Sequence, residues 1–143
     1  MDRSDIPALS RLRLTRRQLD QMLAHVEACL PNEGCGLLAG QAGIVHEVLP
    51  ITNAAASPVR FRMDPREQLR ALEAMDDKGL ELLGIYHSHP AGPVGPSVTD
   101  VAEAAYSAVY VIWSRDGGSW QVNGFWIDHG RISDVKLDAA DGG

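Results

Sequence analysis

Apolar residues recur along this chain with two periods, and the switches between them mark out most of the elements. Leu12-Arg13-Leu14 alternates as a short strand does. Thr15 and Gln18 then have capping-box spacing, and Leu19, Met22, Leu23, Val26 and Leu30 follow at helical intervals. A helix is therefore predicted to about Leu30, with Pro31 closing it. Strand character returns over 34–39 and 44–50, and Gly40-Gln41-Ala42-Gly43 between them reads as a hairpin turn. Small residues make 53–58 a loop, and 59–63 reads as a strand with Arg60 and Arg62 on one side. Asp64 as N-cap, Pro65 at N1 and Glu67 at N3 open a second helix that Gly79 ends.

The second half begins with a strand over 81–86, rich in Leu and Ile. The segment 90–96, Pro-Ala-Gly-Pro-Val-Gly-Pro, forbids a regular element, and Ser97 stands where a short helix needs its N-cap. Residues 108–113 form a strongly apolar run that predicts a central strand. Two more strands, 120–127 and 131–137, flank the turn Asp128-His129-Gly130. The order predicts an α/β (α+β) fold, a mixed sheet with helices packed against it.

With 143 residues and 45% apolar content the chain suits one domain spanning 1–143, and the tails 1–8 and 138–143 are expected to fray. Thirteen basic against 19 acidic residues give a net charge of −6, which opposes binding to nucleic acid or to an anionic membrane. No apolar run approaches a membrane span, and Met1-Asp2-Arg3-Ser4-Asp5 lacks the apolar core of a secretory signal, so a cytoplasmic location is expected. Cys29 and Cys35 are the only cysteines, and both are expected to be buried free thiols. Cys35 stands two residues from Glu33, so a metal or redox role is its alternative.

Candidate chemistry concentrates in Gly84-Ile85-Tyr86-His87-Ser88-His89-Pro90. Residues two apart on a strand share a face, so Ile85, His87 and His89 project together. Two parallel imidazoles suit zinc or a similar divalent metal, but a third ligand is needed. The loop 90–96 lets the chain fold back, and Asp100 then sits in the first turn of the helix that Ser97 caps, with its carboxylate as the natural third ligand. Each half has a plain alternative, since Ser-x-x-Asp is also a capping-box variant and His-x-His occurs by chance. His25, His46 and His129 have no metal-spaced partner.

Taken together, His-x-His-x7-Ser-x-x-Asp resembles the JAMM (MPN+) signature of zinc metalloproteases that hydrolyse peptide and isopeptide bonds. The resemblance covers nearly the whole chain and requires an acid upstream at the start of another strand. Glu33 answers it, within Pro31-Asn32-Glu33-Gly34-Cys35-Gly36-Leu37-Leu38. What the resemblance implies is an MPN-type fold related to the cytidine-deaminase architecture, and one Zn2+ per chain on His87, His89 and Asp100. It also implies Glu33 as general base and Ser97 as donor to the oxyanion. Deamination itself is disfavoured, because the Pro-Cys-x-x-Cys of zinc deaminases is absent. A Ser-His-Asp triad of Ser97, His89 and Asp100 would leave His87 and Glu33 idle.

For the substrate, the compact chain lacks room for the insertions with which eukaryotic deubiquitinating members hold a second ubiquitin. It is more similar to small bacterial members that release an amino acid or peptide from the Gly-Gly end of a ubiquitin-like sulfur-carrier protein. A Gly-Gly tail can add to a sheet edge by backbone pairing, and Arg60, Phe61, Arg62 and Met63 are the candidate edge. Equally, that segment reads as a solvated strand with two arginines for solubility. A small-molecule amidase on the same site, and a non-catalytic MPN binding module, are the alternative functions.

Overall fold

The computed structural model describes residues 8–140. Along the chain run β1 (Arg11–Thr15), α1 (Arg16–Cys29), β2 (Cys35–Gln41), β3 (Ile44–Ile51) and α2 (Pro65–Asp77). Then come β4 (Glu81–His89), α3 (Val98–Ala102), β5 (Val109–Asp116), β6 (Ser119–Asp128) and β7 (Arg131–Ala140). The strands lie in the order β1-β3-β2-β4-β5-β6-β7, and β1 closes the sheet by pairing parallel to both β3 and β7. The predicted mixed sheet with flanking helices is thus present, and it is closed. Among the described residues no helix is long and apolar enough to cross a membrane.

Local signals account for the helix starts. Thr15 Oγ1 accepts from Gln18 N, and Gln18 Oε1 accepts from Thr15 N, so two amides that an α-helix leaves unbonded are satisfied reciprocally. Asp64 accepts from the backbone N–H groups of Arg66 and Glu67, with Pro65 following at the first helical position.

Alternation along the strands divides the core in two. On β2, β4 and β5 the residues Leu38, Tyr86 and Val111 pack with Leu12, Met22, Val26 and Trp113 on the α1 side. Their neighbours Leu37, Ile85 and Tyr110 pack with Cys35, Ile51, Met63 and Met75 on the α2 side. One glycine is required for this arrangement. A Cβ on Gly36 would collide with the Tyr86 ring, which lies across β2 at that point.

Three expectations need correction. Residues 59–63 do not form a strand; only a bridge between Asn53 and Met63 is present. The backbone groups that a ladder would use are taken by one side chain instead. Asn53 Oδ1 accepts from Arg62 N and Ala55 N, and Asn53 Nδ2 donates to Arg60 O. The C-terminal tail is ordered as far as Ala140, because β1 gives it a partner, with Asp138, Ala139 and Ala140 opposite Arg13, Leu14 and Thr15. Ala8 is exposed and outside any element. The rest of the two tails expected to fray, 1–7 and 141–143, lies outside the described residues. Finally, both cysteines are free, but only Cys35 is buried; Cys29 is half-buried on the last turn of α1.

Candidate metal and catalytic site

The C-terminal end of β4 builds the site through strand periodicity. His87 and His89 project from one face, with their Nε2 atoms 3.1 Å apart. Ser88 between them turns to the other face, where its Oγ accepts from Gly34 N at 2.8 Å while its own N–H donates to Gly34 O at 3.0 Å. These two bonds tie the histidine strand to the entry of β2, directly beside Glu33.

The Pro- and Gly-rich segment 90–96 then folds back as its composition demands. Ser97 caps α3, with its Oγ accepting from Asp100 N at 3.0 Å and its N–H donating to Asp100 Oδ2 at 2.9 Å. That capping box points the Asp100 carboxylate at the histidines. Oδ2 is 2.9 Å from His89 Nε2 and 3.1 Å from His87 Nε2. The capping role of Ser-x-x-Asp and the placement of its carboxylate beside both histidines are therefore one arrangement.

Three donor atoms consequently form a triangle with sides of 3.1, 2.9 and 3.1 Å. Ligands at zinc distances of about 2.0–2.1 Å in a tetrahedron lie about 3.3 Å apart, so the triangle has the size of one tetrahedral face. The hydrogen-bond chemistry agrees. His89 Nδ1 lies 2.7 Å from the Pro93 carbonyl, which can only accept, so this nitrogen carries the hydrogen. Nε2 then faces the Asp100 carboxylate. Burial lowers the pKa of this ring, but its bonds to Asp100 and Pro93 outweigh that and raise it, so the pair calls for a positive charge between them, a proton or a metal ion. The residues present fit a divalent metal.

Electrostatics separate the roles further. Burial opposes ionisation of Asp100, but hydrogen bonds from His87 and His89 outweigh it and hold the carboxyl well below the usual carboxylate range. Burial holds His87 in its neutral, metal-binding form, and its Nδ1 has no hydrogen-bond partner. The Phe61 ring stacks on His87 at 4.5 Å between centroids.

Glu33 is treated differently from every other group here. It is only 3% exposed, its Oε1 has no hydrogen-bond partner, and burial pushes its pKa up to about 7. Its main chain, by contrast, is held at both ends, with N donating to Ser57 O at 2.8 Å and O accepting from Asn53 Nδ2 at 3.0 Å. Candidate ligand atoms of Glu33, His87 and His89 lie within 4.8 Å of one another, so this carboxyl also borders the cluster. Asp100 makes the tighter set with the histidines, and Glu33 stands at its border.

Of the proposed edge residues, Phe61, Arg62 and Met63 line a cavity of about 270 Å³ that also reaches Ile85, His87, Asp100, Tyr106 and Tyr110. Arg60 instead pairs with Glu103 at 3.2 Å. The other histidines stand apart from the cluster: His25 Nδ1 lies 2.7 Å from the Tyr86 hydroxyl, and His129 pairs with Asp128 in an exposed turn. Cys35 Sγ bonds Ile51 O, and burial raises the pKa of its thiol to about 12, as expected of an inert buried thiol. Sequence reasoning missed Asn53 and Ser88. The signal for Ser88 was present, because the residue between two inward histidines must face the other way. Little local marked Asn53, three of whose four partners, Glu33, Arg60 and Arg62, lie seven or more residues away.

Known proteins with related sequence or structure agree on one family. A family model described as prokaryotic homologs of the JAB domain matches residues 15–126. A "Probable TtuB-protein conjugate cleaving protease" of Thermus thermophilus is 40% identical over 121 residues, covering 84% of this chain and 78% of the relative. A "CysO-cysteine peptidase" of Mycobacterium tuberculosis is 35% identical over 127 residues, covering 86% and 87%. The solution structure of protein DSY2949 from Desulfitobacterium hafniense superposes with a TM-score of 0.83 at 37% identity, covering 92% of this chain and 94% of that one.

Proposed function

This chain belongs to the family of prokaryotic homologs of the JAB domain, and from that premise we propose that it is a zinc-dependent peptidase or isopeptidase. In this reading it hydrolyses the bond after the Gly-Gly end of a ubiquitin-like sulfur-carrier protein. One observation carries the reading above the others. Three donor atoms within 3.1 Å of one another stand beside a buried carboxyl whose Oε1 has no partner. A binding module has no use for such a carboxyl, whereas a hydrolase needs it.

His87, His89 and Asp100 would hold the metal and leave a fourth position open, the arrangement of catalytic rather than structural zinc. When bound, zinc supplies a Lewis acid that polarises the scissile carbonyl and lowers the pKa of water. The chain's own groups do the rest. Glu33, with a pKa raised to about 7, can take a proton from the attacking water and return it to the leaving nitrogen. The water oxygen ends on the acyl carbon, the C–N bond breaks as Glu33 returns its proton to the nitrogen, and the products are a carboxyl group on the Gly-Gly end and a neutral amine. The Ser97 hydroxyl already accepts from Asp100 N, so its hydrogen remains free to donate to the oxyanion, a contribution of about 3 kcal/mol at comparable sites.

The two relatives' names support the substrate class. Each describes a bond joining a named component to something else, to a protein in one case and to cysteine in the other. The direct test is to incubate the zinc-loaded protein with a sulfur-carrier protein extended beyond its Gly-Gly and to read the mass. Loss of the extension at the Gly-Gly boundary is expected. An unchanged mass in the presence of stoichiometric zinc would remove this substrate.

A further inference from the structure

The cavity beside the metal ligands has a size and charge that the proposed reaction does not by itself explain. Under that reading, on which this inference rests, the acyl side of the scissile bond ends in two glycines. They carry no side chain and need no recess. Yet a cavity of about 270 Å³ opens against His87 and Asp100, next to where the bond must lie. This volume is below the range of ordinary small-molecule sites and far too small for a folded partner, but it accommodates one amino acid.

Its lining specifies which kind. Phe61, Met63, Ile85, Tyr106 and Tyr110 present a largely apolar wall. Four charged side chains stand at the cavity or its rim: Asp100 is engaged by His87 and His89, and Arg60 pairs with Glu103 at 3.2 Å. Arg62 is left over. It lines the cavity, it is exposed, and its guanidinium has no ion pair or hydrogen bond among the described residues. Its backbone is nevertheless fixed, because Arg62 N donates to Asn53 Oδ1 at 3.0 Å and Arg62 O accepts from Ala54 N at 2.7 Å. A rooted arginine with a free planar fork at the mouth of an apolar recess matches a carboxylate.

We infer that this cavity holds the leaving residue and that Arg62 reads its free α-carboxylate, making Arg62 a specificity-determining residue for release of a single apolar amino acid. A lysine side chain of a conjugated protein would bring no carboxylate to this position. The carrier adducts preferred by this enzyme are therefore those extended by one amino acid, rather than those joined to a protein.

The experiment uses the zinc-loaded enzyme and three forms of one carrier, each ending in Gly-Gly. The first is extended by leucine as the free acid, the second by leucinamide, and the third is joined to the lysine ε-amine of an internal peptide. The wild type is expected to cleave the free acid with a kcat/KM about tenfold above either of the others, chiefly through KM. Arg62→Ala should lower the free-acid value to that of the amide and leave the amide value unchanged, and Arg62→Lys should retain part of the preference. Thermal melting checks that both variants fold. Equal cleavage of all three forms by the wild type, or an equal loss on acid and amide in Arg62→Ala, would overturn the inference while leaving the proposed hydrolysis standing. Cleavage of none of them by zinc-loaded wild type would remove the hydrolysis itself.

Discussion

The two faces of β4 carry alternate residues of one strand, and they treat polar groups in opposite ways. On the α1 side Tyr86 bonds His25 at 2.7 Å and Ser88 bonds the Gly34 amide at 2.8 Å, so the polar side chains that β4 itself buries there are partnered, although Trp113 Nε1 of the neighbouring β5 is not. On the other side His87 Nδ1 and Glu33 Oε1 are buried with no partner, and three donor atoms crowd within 3.1 Å. An unpaired buried polar atom costs about 1–3 kcal/mol, so the second face is a costly one. The contrast assigns the strand two jobs. One face holds the backbone in place, and the other, on the proposed function, keeps ligands and base free for a metal, a water and a substrate.

Removing a ligand is the most damaging way to break this contrast. His87→Ala or Asp100→Ala should abolish zinc binding and hydrolysis together, as each removes one of three ligands; elemental analysis finding one zinc per chain in either variant would contradict the ligand set. Ser97→Ala should act at a smaller scale. Loss of the oxyanion donor is expected to lower kcat by about 10²–10³, and loss of the helix cap to cost about 1 kcal/mol of stability. Steady-state rates and melting curves separate these two effects, and wild-type kcat in a destabilised Ser97→Ala would leave Ser97 only its capping role. The smallest change belongs to the back face. Tyr86→Phe deletes the hydroxyl that meets His25 and should cost about 1 kcal/mol while leaving turnover at the wild-type value. A loss of turnover there would show that the two faces are not independent.

What could be read from the sequence divides along the same physical line. His87 and His89 were legible because strand periodicity is local, and Ser97 with Asp100 because capping chemistry spans three residues. The helices starting at Thr15 and Asp64 were legible for the same reason. The closure of the sheet was not, since pairing of β1 with residues 136–140 joins the two ends of the described chain. The segment 59–63 has strand composition, yet Asn53 takes its hydrogen bonds, and no local pattern announces a side chain acting from seven or more residues away. The cavity is similarly non-local, assembled from 61–63, Gln68, Ile85 and 103–110. Glu33 needed the family resemblance, because an acid after a helix and before a strand is ordinarily a solvated turn residue. Its burial shows only when the chain is folded.

The central claim is that Glu33 serves as the base and not as a ligand, and Glu33→Gln tests it most directly. Zinc content and turnover should be measured on one preparation. The structure predicts one zinc per chain, as in wild type, with hydrolysis lowered by about 10²–10⁴ for loss of the proton-transferring group. A Glu33→Gln protein that has lost its zinc, or one that keeps zinc and turns over at the wild-type rate, would contradict it.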